Sequence, residues 1–126
     1  MIIRNCSIRV FVILVNLILL GCSESKSSQL PAIDVNSIRI VSLAPNLTEL
    51  AFHAGAGKNL VGVVEHSDYP REAILLPRVG DAFRIDFELL RLLDPDLILV
   101  WGSGNPKEMQ ARLIELGYEL LIFEPQ

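Results

Sequence analysis

The sequence predicts an α/β fold, a parallel sheet flanked by helices. Two observations carry this. Short apolar strand segments alternate with helical segments in the order β-α-β-α-β-α-β. One of the strand segments, Leu97–Trp101, is apolar throughout, as a strand buried on both faces must be.

Taken in order, "RIVSL" (Arg39–Leu43) is the first predicted strand. "NLTELAFHAG" (Asn46–Gly55) is a helix, with Asn46 as cap, Glu49 closing a capping box, and Leu47, Leu50, Ala51 and Ala54 on one face. Gly55 or Gly57 ends it. "LVGVV" (Leu60–Val64) is the second strand. Asp86 caps a second helix whose Phe87, Leu90 and Leu93 share a face, and Pro95 stops it. Leu97–Trp101 is the third strand. "NPKEMQARLIELG" is a third helix, with Asn105 as cap, Pro106 in the first turn and Gly117 at the end. "ELLIF" (Glu119–Phe123) is the fourth strand.

The start of the chain is read differently. Arg4 and Arg9 frame the entry to an apolar run, Val10–Leu20, too short to span a bilayer. Residues 1–21 read as a signal peptide. The run closes on Leu19-Leu20-Gly21-Cys22, which resembles the lipobox of bacterial lipoproteins, so Cys22 is the expected lipidation site. Residues 22–36, Ser-rich and polar with one Pro, form the expected tether. The chain has two cysteines. With Cys6 removed and Cys22 acylated, no thiol remains for a disulfide, a thiolate metal site or a nucleophile. The net charge is −4, and it falls to −6 once Arg4 and Arg9 leave with the signal. That balance argues against nucleic acid as a partner.

In open parallel sheets, ligands meet the carboxyl ends of the strands. Four loops leave those ends: Ser42–Pro45, Glu65–Tyr69, Gly102–Asn105 and Glu124–Gln126. His66 with Asp68 has the types for half a metal site, but no third ligand is near in sequence, and a turn in which Asp68 bonds the following backbone is the stronger reading. His53, on the polar side of its helix, reads as solvated. "GSGN" could cradle an anion, yet it lacks the GxGxxG pattern and the P-loop Lys, and a tight turn accounts for it. Trp101 is core or ligand wall. Neither a Ser/His/Asp set nor paired carboxylates stand at a catalytic spacing, and no cofactor is expected.

"RIVSLAPNLTELAFHAGAGKNLVGVVEHSDYP" followed by "LPRVGDAFRIDFELLRLLDPDLILVW" resembles the Fe/cobalamin solute-binding family of ABC importers. The resemblance runs from about Arg39 to Phe123, through "SLAPNxTEL", "SDYP" and "LLDPDLIL" in gapless spacing. It implies a Rossmann-like N-terminal lobe over residues 37–126 of a two-lobed, helix-bridged binding protein, with the C-terminal lobe absent from this chain. It implies a non-enzymatic, periplasmic function: capture of a metal chelate, a corrinoid such as cobalamin first, with haem or a ferric siderophore as alternatives, and delivery to ABC permease subunits. The implied ligand rim is Ala44, Pro45, His66, Tyr69, Phe83 and Trp101. His66 stands where the family has Tyr, and Ala82, with Phe83 beside it, where the family has Trp. Glu88 matches the Glu that the family presents to the permease. The rival classes are a nucleotide-using Rossmann-type enzyme and a structural envelope lipoprotein.

Overall fold

A computed structural model describes residues 34–124. Cys22, the expected signal peptide and most of the expected tether lie outside the described residues. Four strands, β1 (Ile40–Ser42), β2 (Leu60–Val63), β3 (Leu97–Trp101) and β4 (Leu120–Phe123), form one sheet. Its order is β2-β1-β3-β4, and every pair is parallel. The helices are α1 (Pro45–His53), α2 (Phe87–Leu93) and α3 (Lys107–Glu115). The predicted element order is therefore the observed one.

Strand periodicity sorts the core into two layers. Successive strand side chains point to opposite faces. Ile40 and Leu99 pack with Leu47 and Ala51 of α1 on one face. Val41, Ile98 and Val100 pack with Leu90 of α2 and with Met109 and Leu113 of α3 on the other. Leu43, Leu90, Ile98 and Leu113 are fully buried, each contributing roughly 1.5–3 kcal/mol by leaving water. Gly62 faces α2 so closely that a Cβ there would lie 2.7 Å from Leu93 Cδ1. A side chain at this position would make Leu93 Cδ1 and Val79 Cγ1 shift where β2 passes beneath that helix.

The caps differ from the sequence reading at two helices. Asp86 does cap α2, its Oδ1 accepting from the Glu88 and Leu89 N–H groups at 3.0 Å each. Asn46 and Asn105 do not cap. Pro45 starts α1 directly after an extended Ala44, which makes no side-chain cap bond, so the Asn46–Glu49 capping box does not form. Pro106, not Asn105, flanks α3, and the Asn105 amide is used elsewhere. Phe87 is part-exposed rather than core. Leu121 and Ile122 of β4 are half-exposed, because β4 is an edge strand among the described elements.

The folded unit also begins earlier than residue 37. Asn59 Nδ2 donates to the carbonyls of Val35 and Ile38 at 2.8 Å each, and Asp34 accepts from the Ser37 N–H at 2.9 Å. The last residues assigned to the tether are thus fastened to the amino edge of the sheet.

Candidate ligand-binding rim

The connection out of β1 runs to β2 on one side and the connection out of β3 runs to β4 on the other, so β1 and β3 are neighbours whose outgoing loops diverge. Such a switch point is where open α/β sheets receive ligands. A further short segment extends the same edge. Val79 N–H donates to the Val63 carbonyl, and Val63 N–H to the Pro77 carbonyl, at 2.9 Å each. Residues 78–80 therefore run parallel beside β2, and the turn that follows emerges at the carboxyl edge too. That turn, Asp81–Arg84, carries Phe83. Asp81 Oδ1 accepts from the Phe83 N–H (2.7 Å) and the Arg84 N–H (2.8 Å). The first of these bonds, then the second, holds the Asp81 carboxyl below its ordinary value of 3.8.

The expected rim residues separate into two kinds. Tyr69, Phe83 and Trp101 are 60%, 71% and 37% exposed, two aromatic side chains on loops and one on the end of β3, all at one sheet edge. His66 is exposed with a positive φ of 66°, so its ring stands on a strained turn. Pro45 is half-buried at the start of α1. Ala44 departs from the expectation of a rim contact. It is 2% exposed, and its carbonyl accepts from Ser42 Oγ (3.0 Å) and Thr48 Oγ1 (3.2 Å). It supports the rim from beneath.

Beneath the rim lies a set of side chains that sequence reasoning missed. Arg78 Nη1 donates to the carbonyls of Val64 (3.3 Å) and Ser67 (3.1 Å), and Nη2 pairs with Asp68 Oδ1 at 3.1 Å. Asp68 is therefore engaged by a guanidinium, not by the backbone ahead of Tyr69-Pro70. Among the described residues no cluster of three metal-ligating side chains occurs. Thr48 Oγ1 reaches Ser42 Oγ (3.0 Å) and Ser67 Oγ (3.2 Å), a buried hydroxyl network that fixes the Glu65–Tyr69 loop to α1. Asn105 Nδ2 donates to the carbonyls of Leu43 (2.9 Å) and Ala82 (3.1 Å), while its Oδ1 accepts from the Trp101 N–H (2.8 Å). Gln110 Nε2 in turn donates to the carbonyls of Gly102 (3.1 Å) and Asn105 (2.8 Å).

The Gly102–Asn105 loop is a turn. Its Gly104 and Asn105 N–H groups donate inward to the Trp101 carbonyl, and the Trp101 ring lies against Gly104, where a Cβ would approach Cε3 to 2.4 Å. Those two donors are not free for an anion. His53 is exposed, its Nδ1 2.8 Å from the Glu49 carbonyl oxygen. Glu88 is exposed on α2. It lines a groove between α2 and the end of α3, with Arg91, Arg112 and Tyr118.

Comparison with known proteins bears on this arrangement. A vitamin B12-binding protein of Vibrio cholerae is 48% identical over 82 residues, covering 65% of this chain and 30% of that protein. One from Photorhabdus laumondii is 39% identical over 88 residues, covering 70% and 32%. The solved periplasmic vitamin B12 binding protein of Vibrio cholerae superposes with a TM-score of 0.63 at 46% identity, over 70% of this chain and 34% of that one. Over these residues the chain is similar in sequence and fold to periplasmic vitamin B12-binding and haem-binding proteins. A periplasmic haem-binding protein from Roseiflexus, in apo form, superposes with a TM-score of 0.64 at 34% identity, covering 70% and 34%. No family model matches the chain. The chain spans about a third of the length of the family members it matches, and the match is to the N-terminal lobe of the family fold. The matched proteins carry the names of vitamin B12-binding and haem-binding proteins.

Proposed function

We propose that this lobe forms one wall of a site for a metal chelate, a cobalamin-type corrinoid first, in a non-enzymatic binding component of an ABC importer. The observation that carries the reading is the trio Tyr69, Phe83 and Trp101, solvent-exposed at the carboxyl edge of the sheet. Exposed aromatics lose stabilisation in water, and each regains about 1.5–3 kcal/mol when a large apolar surface covers it. A corrin or porphyrin macrocycle offers such a surface. The names of the relatives agree, since they include vitamin B12-binding and haem-binding proteins. His66 gives haem or another iron chelate a specific argument as second reading. An exposed imidazole at the rim is a ligand type suited to iron.

In this reading, capture takes place outside the cytoplasm, with Cys22 acylated and residues following it serving as the tether. Glu88 meets an Arg of the permease. A nucleotide-using enzyme is disfavoured by the inward N–H groups of Gly104 and Asn105.

Trp101 is the only tryptophan of the chain, so its fluorescence reports on the rim alone. Titration with cobalamin, haemin and a ferric siderophore should give saturable quenching, strongest with cobalamin. Absence of saturable quenching by every chelate overturns the reading. For the anchor, Cys22→Ser should release the protein from the membrane fraction, because acyl chains supply the membrane affinity. Mass spectrometry finding unmodified Cys22 within an uncleaved chain overturns that part.

A further inference from the structure

We infer that Asn105 is the positioning residue of the rim, the side chain that sets the spacing between the Phe83 turn and the Trp101 strand end. This deepens the chelate-binding reading and rests on it. Asn105 is nine-tenths or more buried, yet three loops converge on its amide. Its two N–H groups serve the carbonyls of Leu43 and Ala82, and its carbonyl serves the Trp101 N–H. The partners fix the amide's orientation, since two are acceptors and one is a donor. Leu43 precedes Ala44-Pro45, Ala82 precedes Phe83, and Trp101 carries the third partner itself. The loops are otherwise distant in sequence, 62 positions separating Leu43 from Asn105 and 23 separating Ala82 from it.

The chemistry is demanding. Aspartate has the same shape but no donor, and its carboxylate would face two carbonyl oxygens. Alanine would remove the side-chain partner of one buried and two part-buried backbone groups. Neither supplies two donors and one acceptor, so the identity of residue 105 controls whether the Phe83 turn is drawn toward Trp101. Gln110, holding the Asn105 carbonyl from α3, keeps the backbone in place while the amide reaches across.

A control of the same kind exists at the other end of the sheet. Asn59 is also buried, and its amide also donates to two carbonyls, those of Val35 and Ile38. Asn59→Asp imposes the same chemical insult far from the rim. The test compares Asn105→Asp, Asn59→Asp and the unchanged chain by thermal melting, by cobalamin titration, and by amide NMR shifts of Ala44, Phe83 and Trp101. Both variants should melt earlier. Only Asn105→Asp should displace those three resonances and weaken cobalamin binding, by about tenfold or more, the scale of one buried hydrogen bond lost. Unchanged resonances in folded Asn105→Asp, or equal displacement in Asn59→Asp, overturn the inference. If the unchanged chain binds no cobalamin, the binding reading fails and the resonances alone decide for Asn105. Should Asn105→Asp not fold, Asn105→Ser, which keeps one donor, is read in the same way.

Discussion

The Arg78 guanidinium stands 3.1 Å from the Asp68 carboxylate while its other nitrogen holds the carbonyls on either side of His66. The ion pair and the carbonyl bonds differ in worth. Asp68 is 67% exposed, so the pair is screened by water and contributes under about 1 kcal/mol. The carbonyl bonds come from a largely covered side chain and are charge-assisted. Asp68→Asn should therefore change stability by less than about 1 kcal/mol, and Arg78→Met should cost about 1.5–3 kcal/mol. Urea unfolding of both variants is the measurement. Equal losses would show that the ion pair, not the carbonyl clamp, holds the loop.

Thr48 is fully buried, with its hydroxyl shared among Ser42 Oγ, Ser67 Oγ and the Ala44 carbonyl. Valine matches its shape but supplies no oxygen, leaving two buried serine hydroxyls short of a partner. Thr48→Val should cost about 1–3 kcal/mol. The double variant Thr48→Val with Ser67→Ala should lose less than the sum of the two singles, because contacting groups do not add. Strict additivity would dissolve the network into independent contacts.

How far the sequence revealed this site depends on the range of each interaction. Asp86 was legible as a cap because its partners, Glu88 and Leu89, lie two and three residues on. The alternation of elements was legible because strand and helix periods are local. Asn105 was not. Followed by Pro106, it looks like a cap, and only its pairing with Leu43, 62 positions away, diverts the amide. Arg78 and Thr48 failed to stand out for the same reason, since their partners lie 10 to 19 residues distant or on another element. The rim aromatics and Ala44 were named from the family resemblance, and Ala44 is 2% exposed. A motif position fixes where the backbone runs, not whether a methyl group reaches the surface.

Gly80 has φ of 123°, and a Cβ there would sit 2.1 Å from the Arg84 carbonyl oxygen. That oxygen accepts from the Asp81 N–H at 2.9 Å, so it cannot retreat without opening the turn. Gly80→Ala should cost more than about 2 kcal/mol, from a disallowed conformation plus the clash. Gly55→Ala is the comparison. Its φ is 79° and its Cβ would meet nothing within 4 Å, which limits the cost to about 1–2 kcal/mol. A smaller loss at residue 80 than at residue 55 would mean that the Phe83 turn is soft.

The Asp81 carboxylate holds that turn through the Phe83 and Arg84 N–H groups, which lower its pKa in the folded chain. A depressed carboxylate stabilises the fold above its unfolded value, and the contribution is lost as pH falls through the folded value. The turn should therefore stay closed at neutral pH and loosen in acid below 3.8. The amide shift of Phe83, followed from pH 6 toward about pH 2, should titrate in that acid window. Asp81→Asn should abolish the titration. A Phe83 resonance that moves identically in both proteins would detach the turn from the carboxylate.

Glu88 is exposed in the first turn of α2, beside the Asp86 cap. The helix N-terminus favours its negative charge by about 0.3–1 kcal/mol, and reversal both removes that attraction and adds repulsion, so Glu88→Arg should lower stability by no more than about twice that amount. The side chain lies apart from Phe83 and Trp101 in the groove it lines with Arg91 and Arg112, and chelate affinity should be unchanged. On the proposed function, Glu88 faces a permease Arg, and reversing its charge sets like charges together where docking excludes water. Uptake of the chelate by cells carrying Glu88→Arg should fall sharply at normal protein level. Glu88→Gln should fall less, since it removes attraction without adding repulsion. Undiminished uptake with Glu88→Arg, at equal abundance and affinity, would leave Glu88 as an ordinary helix-end carboxylate.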